Sequence, residues 1–260
     1  MRRSAYSGGG SLDNECGQPI CAVSRMITVS IVSHGHGQLV ASELDQIAHL
    51  ANSRVARVIV THNLPDSQLA KPAGAMFDLI QLNNQQPHGF ATNHNRAFEY
   101  CETPWFAVLN PDIEFVFGDP FHALLAAGTA DRGLGIVAPA LVQPDTMQKE
   151  SERGRVTPYE IIRRRFPGWR APQEPDWLAG AFLLIRREAF AQARGFDTAY
   201  RLYCEDVDLS MRIRALGWRI ARIGGAAVVH HAQRQSHRSP RYLAWHVASL
   251  FRLWTRRFKA

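Results

Sequence analysis

The sequence is poor in long apolar segments, and no run approaches the roughly 18 residues that a membrane-spanning helix requires. Its start contains Arg2 and Arg3, but the apolar stretch that follows the basic residues of a secretory signal is missing. Cysteine is also scarce, with four residues in 260, and none pairs with histidines at a zinc-like spacing. These absences predict free thiols in a reducing cytoplasm.

No internal repeat is present, and the arginines gather in one loop and at the C-terminal end without a recognised nucleic-acid-binding motif. Nucleic acid is therefore disfavoured as a partner. The net charge of +7 and the pI of about 9.6 favour another anionic partner, such as a nucleotide phosphate or a lipid headgroup, although the same charge also serves solubility. With 46% hydrophobic and 20% charged residues, the chain has the composition of one globular domain.

The first 25 residues are rich in glycine, serine and polar side chains, which predicts a disordered leader. Met26 directly precedes the first predicted strand, so translation from Met1 and from Met26 are both open.

Downstream of Met26, apolar runs alternate with segments of helical periodicity. Strands are predicted at residues 27–32, 55–61, 77–82, 105–109 and 135–141, and helices at 38–51, 89–101 and 120–127. This alternation predicts an α/β domain with a mostly parallel central sheet covered by helices. The strand-end residues Ser33, Thr61, Asn83 and Asn110 should then share one rim, where such sheets bind ligands.

Composition changes between residues 143 and 176, where arginines alternate with prolines and apolar residues are few. We predict a long mobile connection with a short helix near residues 159–165. Long irregular connections often act as lids over functional sites, and a solvated basic loop is the equally weighted alternative.

The run Glu205-Asp206-Val207-Asp208 follows a short apolar stretch and opens a predicted helix that ends at Gly217. A carboxylate at this position lies near the positive end of the helix dipole, and it could accept a proton from a substrate hydroxyl. Acidic residues are also common as simple helix caps, so this run alone leaves both interpretations open.

Several short motifs occur in a fixed order around that run. In chain order they are Asn110-Pro111-Asp112, the stretch 177–190 with its presumed strand, Gly195-Phe196-Asp197, the acidic run, Gly217-Trp218 and Val229-His230. Over roughly residues 26–232 this ordered set resembles the family-2 glycosyltransferases, and most closely their rhamnosyltransferase-like bacterial members.

The resemblance implies a GT-A-like nucleotide-diphospho-sugar transferase fold and transfer with inversion in one displacement. It implies that Asp206 deprotonates the acceptor hydroxyl, and that Asp112 and His230 hold a divalent metal, Mg²⁺ or Mn²⁺, at the leaving diphosphate. His231 should point the opposite way if the strand continues through it, so His230 is the predicted ligand.

Donor and acceptor contacts also follow from the resemblance. The donor-binding residues it implies are Ser33, His34, Asp66, Asn84, Gly89, Asn95 and Asn110. The acceptor-binding residues it implies are Trp177, Gly180 and Glu205. The turn Ser33-His34-Gly35-His36 departs from the Thr-Tyr-Asn-like turn usual in the family, which leaves the base and ribose contacts open.

The expected donor is dTDP-rhamnose or a UDP-sugar, and the expected acceptor is a saccharide or lipid-linked saccharide used in cell-surface polysaccharide synthesis. Residues 26–236 should form the transferase domain, with a donor-binding half at 26–112 and an acceptor half at 113–236. A catalytically silent nucleotide-sugar or polyanion-binding module of the same fold is the alternative.

Residues 237–260 are predicted to form a basic amphipathic helix. Its apolar positions are Leu243, Val247, Leu250, Phe251, Trp254 and Phe258. Its basic positions are Arg241, Arg252, Arg256, Arg257 and Lys259. Two interpretations are open: peripheral contact with an anionic membrane at the inner face of the cytoplasmic membrane, or packing on the domain.

Overall fold

A computed structural model describes residues 25–150, 152–231 and 240–256. Residues 1–24 of the predicted leader, with Cys16 and Cys21, and the C-terminal residues Arg257, Phe258 and Lys259 lie outside the described residues.

An eight-stranded sheet forms the centre of the fold, in the order β3-β2-β1-β4-β7-β6-β8-β5. The strands are β1 (Ile27–Ser33), β2 (Val55–His62), β3 (Asp78–Asn83), β4 (Trp105–Leu109), β5 (Ile113–Glu114), β6 (Leu134–Val142), β7 (Phe182–Arg186) and β8 (Arg219–His230). Neighbours β3, β2, β1 and β4 are parallel, as are β6 and β8, whereas β7 runs antiparallel to both of its neighbours and β5 runs antiparallel to β8.

Helices flank this sheet. They are α1 (Gly37–Leu50), α2 (Phe90–Phe98), α3 (Pro120–Ala130), α4 (Pro158–Arg163), α5 (Arg187–Gln192), α6 (Glu205–Ala215) and α7 (Pro240–Thr255). Strands β4 and β6 are buried along their whole length, because helices and loops cover both faces of the sheet. The predicted mixed α/β class with a mostly parallel sheet is confirmed.

The sequence suggested a strand in the stretch 177–190, but the whole stretch is not one strand. Only Phe182–Arg186 pairs with β4, and α5 begins at the next residue, where the N–H of Arg187 donates to the carbonyl oxygen of Pro104. Glu188 in the first turn of α5 favours the start of a helix there. The residues before Phe182 instead run along the side of α6, as described below.

Strand β8 contains a bulge against β6. Pro139 pairs with Ile223, but the next residue of β6, Ala140, pairs with Ala227. Three residues of β8, among them the exposed Gly224 and Gly225, therefore have no counterpart in β6. Beyond the bulge the strand continues to His230, which pairs with Ile113 of β5.

The segment 143–176 lies along the domain rather than apart from it. Lys149 forms a bridge with Val142, and the N–H of Asp176 donates to the carbonyl oxygen of Arg153 over 2.9 Å. The short predicted helix is present as α4, whose N-cap Thr157 accepts a hydrogen bond from the N–H of Glu160.

Helix α7 packs through one side only. Ser249 and Leu253 are buried against the domain and Leu250 is half-buried. Most of the remaining predicted apolar stripe is exposed, at Leu243, Val247 and Phe251. Trp254 is also partly exposed, but its Nε1 donates to the carbonyl oxygen of Val156 over 2.8 Å. None of the helices in the described ranges is long and apolar enough to cross a bilayer.

Candidate active site

The carboxyl ends of the parallel strands meet along one rim, as the alternating pattern predicts. The N–H of Asn63, just after β2, donates to the carbonyl oxygen of Ser33 over 2.7 Å. At the far side of β4, the N–H of Asn110 donates to the carbonyl oxygen of Ala181 over 2.9 Å. These bonds join the strand-end turns into one surface.

A cavity of about 690 Å³ opens at this rim. Its lining includes these sequence-predicted residues: His34, Asn110, Asp112, Trp177, Gly180, Glu205, Asp206 and His230. The cavity therefore brings together residues from the turn after β4, the end of β8, the start of α6 and the chain before β7, with His34 and His230 about 200 positions apart in the sequence.

Asp206 is held in the cavity by two backbone N–H groups. Its Oδ2 accepts from Gly180 over 2.9 Å, and its Oδ1 accepts from Val207 over 2.8 Å. Burial raises the pKa of Asp206, and the two N–H donors together with the positive charge of Arg153 offset only part of this rise. The result is an oriented carboxylate with an elevated pKa, which is the property that a general base requires.

Glu205 precedes it and is almost fully buried. Burial and the neighbouring charge of Asp206 both raise the pKa of Glu205. Its Oε2 is buried and has no hydrogen-bond partner in the described part of the chain. A carboxyl in this state is poised to hold its proton and to donate it to a ligand.

Asp112 and His230 lie side by side in the same cavity. Nε2 of His230 is 3.5 Å from Oδ1 of Asp112, which is buried and lacks a hydrogen-bond partner within the described ranges. Burial would raise the pKa of Asp112, but the His230 side chain, the Asp112 backbone N–H and His36 together lower it, so the carboxylate stays ionised. His231 instead pairs with the exposed Glu114, 3.0 Å away.

These two side chains offer one oxygen and one nitrogen ligand. Within the residues that the structure describes, no three His, Cys, Asp or Glu side chains come close enough together to hold a metal ion by themselves. The orphaned Oδ1 of Asp112 still fits a cation that takes its other ligands from phosphate and water, as Mg²⁺ commonly does.

Glu43 is an acid near this site that the motif analysis missed. It is completely buried on α1, and neither carboxylate oxygen has a partner among the described residues. Burial, with a contribution from the charge of Asp112, raises its pKa well above the ordinary value. Its position between Val40 and Leu44 on the apolar face of α1 was the available signal, since an acid there must be buried.

Ser33, His34 and Asp66 meet at the end of β1. The Ser33 hydroxyl accepts from the N–H of His36 over 3.1 Å and lies 3.5 Å from Oδ2 of Asp66. His34 lies within 3.0 Å of the Asn63 amide. Although Ser33 and Asp66 do not line the cavity, they order the turn that carries His34 and His36 into it.

Asn84 belongs to a network that orders the loop before α2. Its amide nitrogen donates to the side-chain oxygens of Asn63 and Asn93, each over 2.8 Å. Asn63 also accepts from the N–H of His88 over 2.8 Å. Asn84 is thus occupied with loop structure and lies beside the cavity rather than in its wall.

Two predicted donor residues have structural partners elsewhere. The Asn95 side chain both donates to and accepts from the backbone of Phe196, each over 2.8 Å, and it faces a separate cavity of about 600 Å³. Gly89 lies so close to Arg201 that an added Cβ would be 2.8 Å from its carbonyl oxygen. The space around Gly89 is therefore taken by the protein's own backbone, which explains the glycine without a ligand.

On the opposite flank from these loops, the segment 143–176 contributes Glu150, Arg153 and Val156 to the cavity wall. Arg153 lies over the ring of Trp177 at 4.9 Å and pairs with Glu150 over 2.5 Å. The indole Nε1 of Trp177 donates to the carbonyl oxygen of Gly154 over 3.0 Å. Arg153 belongs to the arginine-rich segment 143–176, for which the sequence left a lid and a solvated loop both open.

Comparison with known proteins places this geometry in a class. No family model matches the chain. Among curated proteins, rhamnosyltransferase WbbL of Escherichia coli K12 is 25% identical over 250 residues, covering 89% of this chain and 94% of that protein. The N-acetylglucosaminyl-diphospho-decaprenol L-rhamnosyltransferase of Mycobacterium tuberculosis is 32% identical over 170 residues, which are 56% of this chain and 53% of that protein.

Solved structures give the fold. The mannosyltransferase PcManGT of Pyrobaculum calidifontis, in complex with GDP-Man and Mn²⁺, superposes with a TM-score of 0.61 at 18% identity, covering 90% of this chain and 65% of that one. GalNAc-T7 with UDP, GalNAc and Mn²⁺ superposes with a TM-score of 0.60 at 16% identity, covering 79% of this chain and 43% of that one.

The fold is that of the GT-A glycosyltransferases, and the similarity to curated rhamnosyltransferases supports glycosyl transfer. In sequence the chain is similar to rhamnosyltransferases, and this similarity supports a rhamnosyltransferase-like protein of the family-2 kind.

Proposed function

We propose that this protein transfers rhamnose from dTDP-rhamnose to a hydroxyl of a lipid-linked saccharide, with inversion at the anomeric carbon. Its sequence relatives are named rhamnosyltransferases, and one of them is named for an N-acetylglucosaminyl-diphospho-decaprenol acceptor. The observation that carries the proposal is the oriented Asp206 carboxylate in the same cavity as Asp112 and His230. A UDP-sugar is the alternative donor.

Asp206 acts as the general base. Its carboxylate accepts the proton of the acceptor hydroxyl while that oxygen attacks the anomeric carbon and the bond to the diphosphate breaks. The N–H groups of Gly180 and Val207 hold both oxygens in place before the acceptor arrives. Because a single displacement needs no enzyme nucleophile, one base is sufficient for the inverting reaction.

Asp112 and His230 would hold a divalent cation, for which Mn²⁺ suits the mixed oxygen and nitrogen ligands. When bound, that cation supplies Lewis-acid stabilisation of the charge on the departing diphosphate. The low pKa of Asp112 keeps this carboxylate ionised at neutral pH, as a metal ligand must be.

The two halves of the domain divide the substrates. Residues 26–112 bind the nucleotide through His34 and Asn110, with Ser33, Asp66 and Asn84 ordering the turns around them. Residues 113–236 bind the acceptor. Trp177 and Gly180 shape its pocket and Glu205 lies beside the base.

A lipid-linked acceptor lies at a membrane surface, so the active site must come close to that surface. We propose that the outward face of α7 contacts the membrane there. This face carries Val247 and Phe251, which are 58% and 66% exposed. Replacing both by Ser should weaken co-sedimentation with anionic vesicles, while Met76→Ser, which alters another exposed apolar residue, should not. Equal sedimentation of all three proteins would remove α7 from the membrane contact.

The reaction is tested with the purified full chain, a panel of nucleotide sugars and a short-chain lipid-diphosphate N-acetylglucosamine acceptor. Mass spectrometry should detect a product one deoxyhexose heavier with dTDP-rhamnose and Mn²⁺, and none with EDTA. Asp45→Asn, an exposed change on α1, is the matched control for Asp206→Asn. If the parent neither transfers nor hydrolyses any donor, the chain is a binding module rather than an enzyme.

A further inference from the structure

Residues 200–204, which we call the entry turn, carry the chain into α6 and hence to Asp206. Two consecutive residues of this turn, Tyr203 and Cys204, have φ angles of 69° and 64°. This left-handed conformation is unfavourable for residues with a Cβ, which approaches a carbonyl oxygen too closely. Cys204 is the N-cap of α6, yet its side chain makes no capping hydrogen bond. The Cys204 side chain therefore does nothing to offset this strain, and contacts from elsewhere help to hold the turn.

Those contacts come from α7. The buried hydroxyl of Ser249 donates a 2.8 Å hydrogen bond to the carbonyl oxygen of Leu202, immediately before the two left-handed residues. Leu253 of α7 is buried in a small cluster with Cys204 and Val207, which flank the acidic pair. One helix thus contacts the chain on both sides of Glu205 and Asp206.

Ring contacts between α7 and the entry turn add to these interactions. Tyr203 lies against His246 with ring centroids 4.8 Å apart, and the guanidinium of Arg201 lies 4.5 Å from the ring of Trp245. Arg201, Leu202, Tyr203 and Cys204 each contact α7 in turn. Such complete coverage is expected of a helix that sets the path of the turn.

Ion pairs fix the position of α7 itself. Arg252 pairs with Asp197 over 2.8 Å, and Arg256 pairs with Asp197 and, over 2.7 Å, with the buried Asp208 of α6. Although burial would raise the pKa of Asp197, the hydrogen bonds from Arg252 and Arg256 lower it, so these pairs persist at neutral pH. Arg252 and Arg256, for which the sequence left membrane contact and packing on the domain both open, are thus bound to the domain.

We propose that α7 positions the base, and that Ser249 is the positioning residue through which it does so. By holding the entry turn in its left-handed conformation, the helix fixes the direction in which Asp206 enters the cavity. The inference rests on the proposed function for the role of Asp206, but the contacts themselves do not depend on it.

A matched pair of variants tests the role of the hydroxyl. Ser249→Ala removes the bond to the turn, whereas Thr255→Ala removes a hydroxyl from the same helix that bonds only within the helix, to Phe251 and Arg252. Ser249→Ala should lower kcat roughly tenfold, because a small displacement of a catalytic group is costly, and should leave the donor KM nearly unchanged. Thr255→Ala should keep the parent kcat. A parent-like kcat in Ser249→Ala would overturn the inference.

The strain provides a second test. Glycine adopts a positive φ without steric cost, so a turn with Cys204→Gly needs less support from α7. The effect of Ser249→Ala on kcat should therefore shrink to roughly threefold or less in the Cys204→Gly background, as a double-mutant cycle would measure. An equal loss in both backgrounds would mean that Ser249 acts by some other route than the entry turn.

Hydrogen exchange separates this inference from the proposed reaction. The N–H of Asp208 donates to the carbonyl oxygen of Cys204, so loosening of the turn should expose it. Peptides covering residues 202–208 should exchange several-fold faster in Ser249→Ala and at the parent rate in Thr255→Ala. Faster exchange in Ser249→Ala, in a protein that transfers no sugar, would contradict the proposed reaction but support the positioning role of α7. Unchanged exchange in Ser249→Ala would contradict the positioning role even if the enzyme is active.

Discussion

Replacement of Asp206 by Asn removes the base while nearly preserving its shape. General-base catalysis contributes on the order of 10²–10⁴ in rate, so the barrier to transfer should rise by about 3–5 kcal/mol. Donor affinity should change little, because Asp112, His230 and the donor-side turns are untouched.

The structure also predicts a cost in stability for this variant. Both Asp206 oxygens accept backbone hydrogen bonds, from Gly180 and Val207, but Asn has only one side-chain oxygen. One backbone N–H then faces an amide NH₂ group, at a cost of about 1–3 kcal/mol. Loss of a buried charge beside Glu205 acts in the opposite direction, since that charge raises the pKa of Glu205. A fall in Tm of roughly 2–4 °C per net kcal/mol is expected.

Three measurements separate these effects: initial transfer rates, donor titration by calorimetry and thermal melting of the same preparations. The expected pattern is a large loss of rate with a folded protein and parent-like donor affinity. A folded Asp206→Asn protein that transfers sugar within threefold of the parent rate would refute the assignment of the base.

Other predictions concern the neighbouring acids. Asp112→Ala should weaken donor binding in Mn²⁺ but not in EDTA, and calorimetric affinities that respond equally to Mn²⁺ in parent and variant would contradict a metal role. The transfer rate of the parent should fall up to tenfold per pH unit as the pH drops through the pKa of Asp206, which burial raises above the ordinary 3.8; a rate that stays flat down to about pH 4 would exclude this group. Glu43 has a raised pKa in the folded state. Above the pKa of about 4.5 that it has in the unfolded chain, the folded protein therefore keeps a proton that the unfolded chain loses, and the free energy of unfolding declines as the pH rises. Glu43→Gln should abolish this decline, gaining up to about 1.4 kcal/mol per pH unit over the parent in urea unfolding, while an offset that is the same at every pH, as expected for Asp45→Asn, would contradict it.

The N-terminal half of the fold was predictable because its signals are local. The runs that form β1, β2 and β4 are nearly continuous apolar stretches, and the structure has them within a residue of the predicted ends. Their meeting at one rim follows from parallel pairing, which the intervening helices require.

Elements decided by distant partners were not predictable in this way. Strand β5 is only two residues long and exists because Ile113 and Glu114 pair with the end of β8. The change from β7 to α5 occurs without Gly or Pro, at a point fixed by the Pro104 carbonyl in another part of the chain. No local pattern records such contacts.

The site residues also differ in how far the sequence could predict them. Asp112, Asp206 and His230, which the resemblance selected, line one cavity, and their roles as site residues stay predictions. For Asn95 the family pattern could not reveal that the Phe196 backbone, about 100 positions away, occupies its amide. The domain boundaries likewise stay predictions.

The bulge in β8 determines which histidine reaches the cavity. Side chains of a strand alternate between its faces, and the extra residues around Gly224 and Gly225 reset that alternation between the pairing with β6 and the end of the strand. If loss of one glycine shifted the pairing with β5 by one residue, His231 rather than His230 would lie opposite Ile113. Which histidine serves as the candidate metal ligand thus depends on the number of residues between the pairing with β6 and the end of β8. Insertion or deletion of a single exposed glycine is a route by which evolution could gain or lose that ligand.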